Sequence, residues 1–234
     1  MNTILDSNTG YSKEISRDFF KNVYAFMFGA LLVTGAIASY GSDGYFLRFF
    51  VTEAGTLSPL YYVLIFAPVG VALLIQMAYA RLSFGMLILC FLVYSVLMGI
   101  SLSSIFLVYT GTQIATTFFI TAGAFGAMAV IGYTTKTDLT KMGSLLYMVF
   151  IGMIIATVVN YFVDMKDLQF IISILGVFVF TGLTAYYMQK LKDVSMNQQL
   201  SNLDRNKLSL VGGLMLYIMF INLFMSLLSL TSRD

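Results

Sequence analysis

Seven long apolar stretches, separated by short polar segments, make up most of the sequence. They occupy residues 19–40, 59–80, 82–109, 112–133, 142–162, 168–189 and 208–230. A helix needs about 20 apolar residues to cross the hydrocarbon core of a bilayer, and each stretch is long enough to do so. The pattern therefore predicts an all-α membrane protein with seven transmembrane helices. It divides the chain into an N-terminal tail (1–18), a transmembrane domain (19–230) and a short C-terminal tail (231–234).

The composition indicates that the lipid bilayer is the main partner of this chain. Hydrophobic residues make up 59% of the 234 positions and charged residues only 10%, and the mean hydropathy is +0.88. Soluble domains carry roughly 25% charged residues, so the composition excludes the soluble class. We expect no nucleic-acid partner.

The basic residues are distributed unevenly between the two sides that the seven stretches define. Ten lie on the side of the N-terminus and three on the other side: Lys13, Arg17, Lys21, Arg81, Lys136, Lys141, Lys190, Lys192, Arg205 and Lys207 against Arg48, Lys166 and Arg233. Cytoplasmic loops carry an excess of Lys and Arg. The distribution predicts a cytoplasmic N-terminus and an external C-terminus.

The first stretch could also be a cleaved signal peptide, because Ala36–Ala38 resembles a small-residue cleavage site. Signal peptides have an apolar region of about 7–15 residues behind a short basic segment. Here the apolar stretch is longer and the tail before it is of mixed charge. We therefore favour an uncleaved first helix.

The transmembrane stretches lack the groups that most chemistry requires. The chain has no histidine, its single cysteine lies in the third stretch, and no Asp, Glu, Lys or Arg occupies the middle of any stretch. Ionisable groups at membrane depth mark proton relays and substrate pathways, and histidine is the commonest general base and metal ligand. We expect no enzymatic activity and no cofactor or resident metal. Cys90 is predicted to be a small core residue.

Small and polar residues within the stretches are predicted to mediate helix packing. Gly123 and Gly126 lie in a small-residue segment of the fourth stretch, and such residues let helices approach closely. The amides of Gln76, Asn160 and Asn222 are predicted to form hydrogen bonds with neighbouring helices, because an unpaired amide in hydrocarbon is costly. Contact with a substrate is the alternative for these amides.

Five motifs resemble the bacterial branch of the transmembrane Bax inhibitor motif (Bax inhibitor-1) family. Three are GISLS at 99–103, FFITAGAFG at 118–126 and GYTTKTDLTK at 132–141, the last in a predicted loop. The closing motifs are LTAYYMQKLK at 183–192 and LYIMFINLF at 216–224. The resemblance covers the third to seventh stretches well, whereas the first two match mainly in length and hydropathy.

The resemblance implies a seven-helix bundle in the bacterial inner membrane, with the last helix in its centre. It also implies a calcium leak whose pH sensor is a pair of aspartates, because two close carboxylates share a proton. Here Tyr187 and Met219 occupy the two aspartate positions. The neighbouring motif residues are Tyr186, Gln189, Lys190, Tyr217 and Asn222.

Two functions follow as hypotheses from these substitutions. Tyrosine has an ordinary pKa of about 10 and does not titrate at physiological pH, and methionine does not titrate at all. The first hypothesis is therefore an ion leak, with Ca²⁺ as the transported ion, that lacks the usual pH response. The alternative is a non-transporting membrane regulator that acts through a membrane-protein partner in stress response or membrane-protein quality control.

Overall fold

The computed structural model describes residues 2–46, 50, 58–163, 165–197 and 199–231, and its regular elements there are all α-helices. The eight helices of these residues are α1 (Asn2–Tyr40), α2 (Pro59–Ala78), α3 (Phe84–Leu102), α4 (Ile105–Val108), α5 (Gly111–Thr134), α6 (Thr140–Val163), α7 (Lys166–Ser195) and α8 (Asn202–Thr231).

Among the described residues, seven helical segments are long and apolar enough to cross a membrane, which confirms the predicted number of spans. The third span, Phe84–Val108, contains both α3 and α4. Many large apolar side chains on the spans are exposed; Met77 and Phe162, for example, are 82% and 80% exposed. Since an exposed apolar surface of this extent is unstable in water, the chain is an integral membrane protein.

The helices extend beyond the apolar stretches at several ends. The predicted tail at 1–18 continues the first span as helix from Asn2, and α7 runs to Ser195, beyond the predicted end at residue 189. Hydropathy reports only where the hydrocarbon ends, whereas backbone hydrogen bonding continues through polar turns in water. The charge-based orientation of the termini stays a prediction.

The third span breaks between α3 and α4 at Ser103 and Ser104, whose hydroxyls bond to backbone carbonyls. The hydroxyl of Ser103 donates to the carbonyl of Ile100 at 2.7 Å, and that of Ser104 donates to the carbonyl of Ser101 at 2.9 Å. Serine hydroxyls offer backbone carbonyls an alternative to the helical N–H partner. The apolar pattern could not predict this break, because the break lies inside the single apolar stretch 82–109.

The chain forms two compact units that divide the last helix between them. One unit contains residues 1–110 and 195–217, and the other contains 111–194 and 218–234. In the first unit, α3 packs against α1 and α2. In the second unit, α5 and α8 pack through aromatic rings, such as those of Phe125 and Phe220 with centroids 5.5 Å apart.

The last helix is the most buried of the spans. Two thirds (67%) of the apolar window of α8 is buried, against 11–39% for the other spans. Its predicted place at the centre of a bundle stays a prediction. Cys90, predicted to be a core residue, is only partly buried on α3.

Candidate functional site

The end of α7 that carries the motif at 183–192 packs closely on α6. A Cβ added at Gly143 would lie 2.5 Å from the ring of Tyr186, so only glycine leaves room for this ring. Tyr147 meets Tyr186 edge to face, with centroids 6.2 Å apart and an interplanar angle of 86°. Such pairs are favoured by the charge distribution of aromatic rings. The motif residue Tyr186 and Tyr147 of α6 thus form a tyrosine cluster at a tight junction between α6 and α7.

Tyr187, the first of the two predicted sensor positions, belongs to this tyrosine cluster. Its side chain is partly buried and lies within electrostatic range of Tyr147 and Tyr186. A phenol stays neutral near physiological pH. Three phenol groups therefore lie where the resemblance implies a carboxylate.

Met219, the second predicted sensor position, lies in apolar surroundings on α8. It is 5% exposed, and the ring of the next residue, Phe220, packs against Phe118 and Phe125 of α5 with centroids 5.4 and 5.5 Å away. A thioether carries no charge at any pH and is only a weak acceptor. Neither predicted sensor position holds a group that titrates in the neutral range.

Gln189 ties the motif at the end of α7 to the loop 135–139. Its side-chain oxygen accepts a hydrogen bond from the backbone N–H of Leu139 at 2.9 Å. Its side-chain nitrogen donates to the carbonyl of Thr137 at 2.8 Å. Because one amide satisfies two backbone groups of the same loop, it fixes the position of that loop relative to α7.

Lys192, which the motif analysis did not single out, makes a second connection to the same region. Its ammonium group donates to the carbonyl of Tyr133 at 2.9 Å and lies 5.3 Å from the centre of the Tyr133 ring. A sequence signal was present, because residues three apart on a helix share a face and Gln189 precedes Lys192 by three. Lys190, which was singled out, is exposed.

Asp138 is the carboxylate of this loop, and it remains ionised at neutral pH. Hydrogen bonds from the side chain and the backbone of Thr140, together with the charge of Lys141, hold the pKa of Asp138 below its ordinary value. The carboxyl is fully exposed, and its bond to the Thr140 backbone N–H measures 2.9 Å. This acid therefore does not replace the missing neutral-range sensor. Among the described residues, no group of three His, Cys, Asp or Glu side chains could hold a metal ion.

Tyr217, predicted as a neighbouring motif residue, anchors a polar network in the first unit. It is fully buried, and its hydroxyl lies 2.8 Å from that of Thr34. Since the Thr34 hydroxyl donates to the carbonyl of Ser95 at 3.0 Å, Tyr217 donates to Thr34. The Tyr217 ring also packs edge to face on Tyr94 and Phe91. The network joins α1, α3 and α8.

Two of the three amides predicted to bond between helices form local hydrogen bonds instead. Asn222 donates to the carbonyl of Ile218, one turn earlier on α8, at 2.8 Å. Asn160 accepts from the backbone N–H of Met165 at 3.0 Å, across the turn that follows α6. Each amide thus satisfies a nearby backbone group, and the predicted interhelical bonds are wrong for both.

The predicted packing role of Gly123 and Gly126 is also wrong within this chain. A Cβ added at either glycine meets no atom within 4 Å of the described structure, and both residues are exposed. The close approach on α5 is at Gly132 instead, where an added Cβ would overlap the backbone of Ala185 on α7. The buried face of α5 is the one that carries Thr117, Thr121, Phe125, Ala129 and Gly132.

Comparison with known proteins agrees with the motifs. The profile of the family described as inhibitor of apoptosis-promoting Bax1 matches residues 16–234. The inner membrane protein YbhL of Escherichia coli K12 is 40% identical over 214 residues, which cover 90% of this chain and 89% of YbhL. The uncharacterized protein RP147 of Rickettsia prowazekii is 39% identical over 231 residues, covering 97% and 93% of the two chains.

A relative from Borreliella burgdorferi, also uncharacterized, shows 41% identity over 214 residues, covering 92% of this chain and 91% of its own. The family profile covers the spans that carry Tyr187 and Met219, and it also covers the first two spans from residue 16 onward, where the motifs were weakest. Together with seven apolar helices, these matches establish the family. The chain belongs to the Bax inhibitor-1 family of multi-pass membrane proteins.

Proposed function

We propose that this protein mediates a calcium leak across the bacterial inner membrane, and that carboxylates at residues 187 and 219 take no part in its gating. The observation that carries the gating part of the proposal is the neutral chemistry of those positions, a phenol in a tyrosine cluster and a thioether that is 5% exposed. The leak itself rests on the resemblance of the motifs to the family, and the chain's membership of that family supports it. The description of YbhL as an inner membrane protein supports the location. The proposal includes no enzymatic step.

The orientation forms part of the proposal, with the N-terminus in the cytoplasm and the C-terminus outside. The ten-to-three bias of basic residues supports it. In a Cys90→Ser background, we expect a membrane-impermeant maleimide added to intact spheroplasts to label Arg233→Cys and to spare Lys136→Cys. Labelling of Lys136→Cys alone would reverse the orientation.

Calcium flux into dye-loaded liposomes tests the proposed function directly. We expect the purified protein to raise the rate of calcium entry above that of empty liposomes, with no steep change between about pH 5.5 and pH 8. The reason is that neither sensor position titrates over this range. A steep, saturating pH dependence of the wild-type flux would contradict the proposal.

The alternative function is that of a membrane regulator that transports nothing and acts through a protein partner. The loss of both acids favours this alternative, because the family's gating chemistry is absent from residues 187 and 219. Crosslinking and co-purification from native membranes distinguish the two functions. A stoichiometric membrane-protein partner without measurable flux supports the regulator, whereas flux without such a partner supports the leak.

A further inference from the structure

A polar cleft lies in the first unit, between residues 15–22 of α1, where the first span begins, and the start of α8. Its volume is about 490 Å³. The polar side chains that line it are Asp18, Lys21 and Asn22 of α1 and Asn202, Arg205 and Asn206 of α8. None of them was assigned a role by the family motifs.

Arg205 is the residue of this cleft with a buried N–H group that lacks a partner. The residue is only 9% exposed, and one terminal nitrogen donates to the carbonyl of Asn197 at 3.2 Å. Its Nε–H is buried and has no hydrogen-bond acceptor in the described structure. An unpaired buried cation is costly, so an acceptor with negative charge would stabilise it considerably.

The carboxylates nearby do not supply that acceptor. Asp204 is engaged at the start of α8, where Ser201 donates to it at 2.6 Å and receives a bond from its backbone N–H at 3.1 Å. Asp18 lines the cleft but is exposed. No ion pair of Arg205 with either acid is present among the described residues. The guanidinium is therefore available to a ligand.

The chemistry of the cleft matches a phosphate group. A guanidinium presents donors in a fork that fits phosphate oxygens, Lys21 adds a second positive charge, and the three asparagines supply further amide donors. The N-terminus of α8, a 30-residue helix, adds the positive end of its helix dipole. The lining side chains carry two positive charges, on Lys21 and Arg205, and one negative charge, on Asp18, so the net charge of the cleft is positive.

Its position favours a phosphate that belongs to a lipid. The spans Glu14–Tyr40 and Asn202–Thr231 both begin beside the cleft, so its polar residues lie where the apolar part of each helix starts. Phospholipid phosphates occupy this depth of a bilayer. We propose that the cleft binds the phosphate of an anionic phospholipid, held by Arg205 and Lys21.

Native mass spectrometry of the full chain tests this proposal with dioleoylphosphatidylglycerol as the probe. We expect one bound lipid of this kind and weaker binding of dioleoylphosphatidylcholine, whose choline carries a compensating charge. Arg205→Gln should weaken phosphatidylglycerol binding about tenfold, which corresponds to one lost charge-assisted hydrogen bond. Arg205→Lys should bind with intermediate affinity, since it keeps the charge and loses the fork.

Two further variants keep the test decisive. Lys21→Gln changes an exposed residue, so it should fold and bind more weakly even if Arg205→Gln does not fold. Lys136→Gln removes an exposed charge from the loop 135–139 and should bind as the wild type does. Equal binding by the wild type and both cleft variants, or equal binding of the two lipids, would overturn the proposal. If millimolar inorganic phosphate displaces the lipid, the ligand of the cleft is a soluble phosphate and not a lipid, which would also overturn the proposal.

Discussion

Replacing Gly132 with alanine is expected to lower the stability of the second unit by roughly 1–3 kcal/mol, the usual cost of overpacking. The added Cβ would lie 2.7 Å from two backbone atoms of Ala185, its Cα and its carbonyl carbon. A backbone cannot rotate away as a side chain can, so α5 and α7 must move apart. The measurement is the fraction of monodisperse protein after heating in detergent, followed by size-exclusion chromatography.

Gly126→Ala on the same helix is the matched control. Its Cβ meets nothing within 4 Å, and alanine is the better helix former by up to about 1 kcal/mol. We therefore expect the temperature at which half of the Gly126→Ala protein remains monodisperse to equal or exceed that of the wild type. Equal losses of stability in the two variants would show that the contact of Gly132 with α7 does not determine the effect.

Introducing aspartates at both sensor positions is expected to make calcium flux respond to pH. In Tyr187→Asp combined with Met219→Asp, burial disfavours the charged form of the new carboxylates and raises their pKa values. Protonation between about pH 5.5 and pH 8 would then change the charge of the site. Flux into dye-loaded liposomes, measured across this range, should change from flat in the wild type to titrating in the variant.

The control for this experiment carries asparagine at both positions. Asparagine has nearly the size of aspartate and does not titrate, so its flux should not depend on pH. Because Met219 is 5% exposed, a carboxylate there is also expected to reduce stability, and both variants are compared only after they elute as monodisperse protein. The same pH profile for aspartate and asparagine would refute the role assigned to these positions.

The tyrosine cluster illustrates how much of the candidate site the motifs could predict. The resemblance placed Tyr186, Tyr187 and Gln189 in one functional segment, and the structure shows what that segment contacts. Tyr186 fills the space over Gly143. Gln189 bonds to two backbone groups of the loop 135–139, the N–H of Leu139 and the carbonyl of Thr137. The motif identified these residues, but their partners lie about 40 to 50 positions away in sequence, beyond any local pattern.

The polar residues outside the motifs were harder to assign. Arg205 was counted only as a basic residue of a loop, whereas the structure buries it in a cleft with an unpaired Nε–H. Asn222 was expected to reach a neighbouring helix, whereas it bonds to its own. A hydrogen bond requires an acceptor within about 3 Å, and the sequence does not state which backbone atoms lie at that distance.

The sequence by itself determined the seven spans, because a bilayer requires about 20 apolar residues per crossing and a helix to satisfy the backbone. It also determined the family and the absence of acids at residues 187 and 219. Only the tertiary structure decided which face of each span meets another helix. Lipid tails are as apolar as a packed core, so the hydrophobic pattern marks a span without distinguishing its two sides. That is why Gly132, and not Gly123 or Gly126, is the point of close contact on α5.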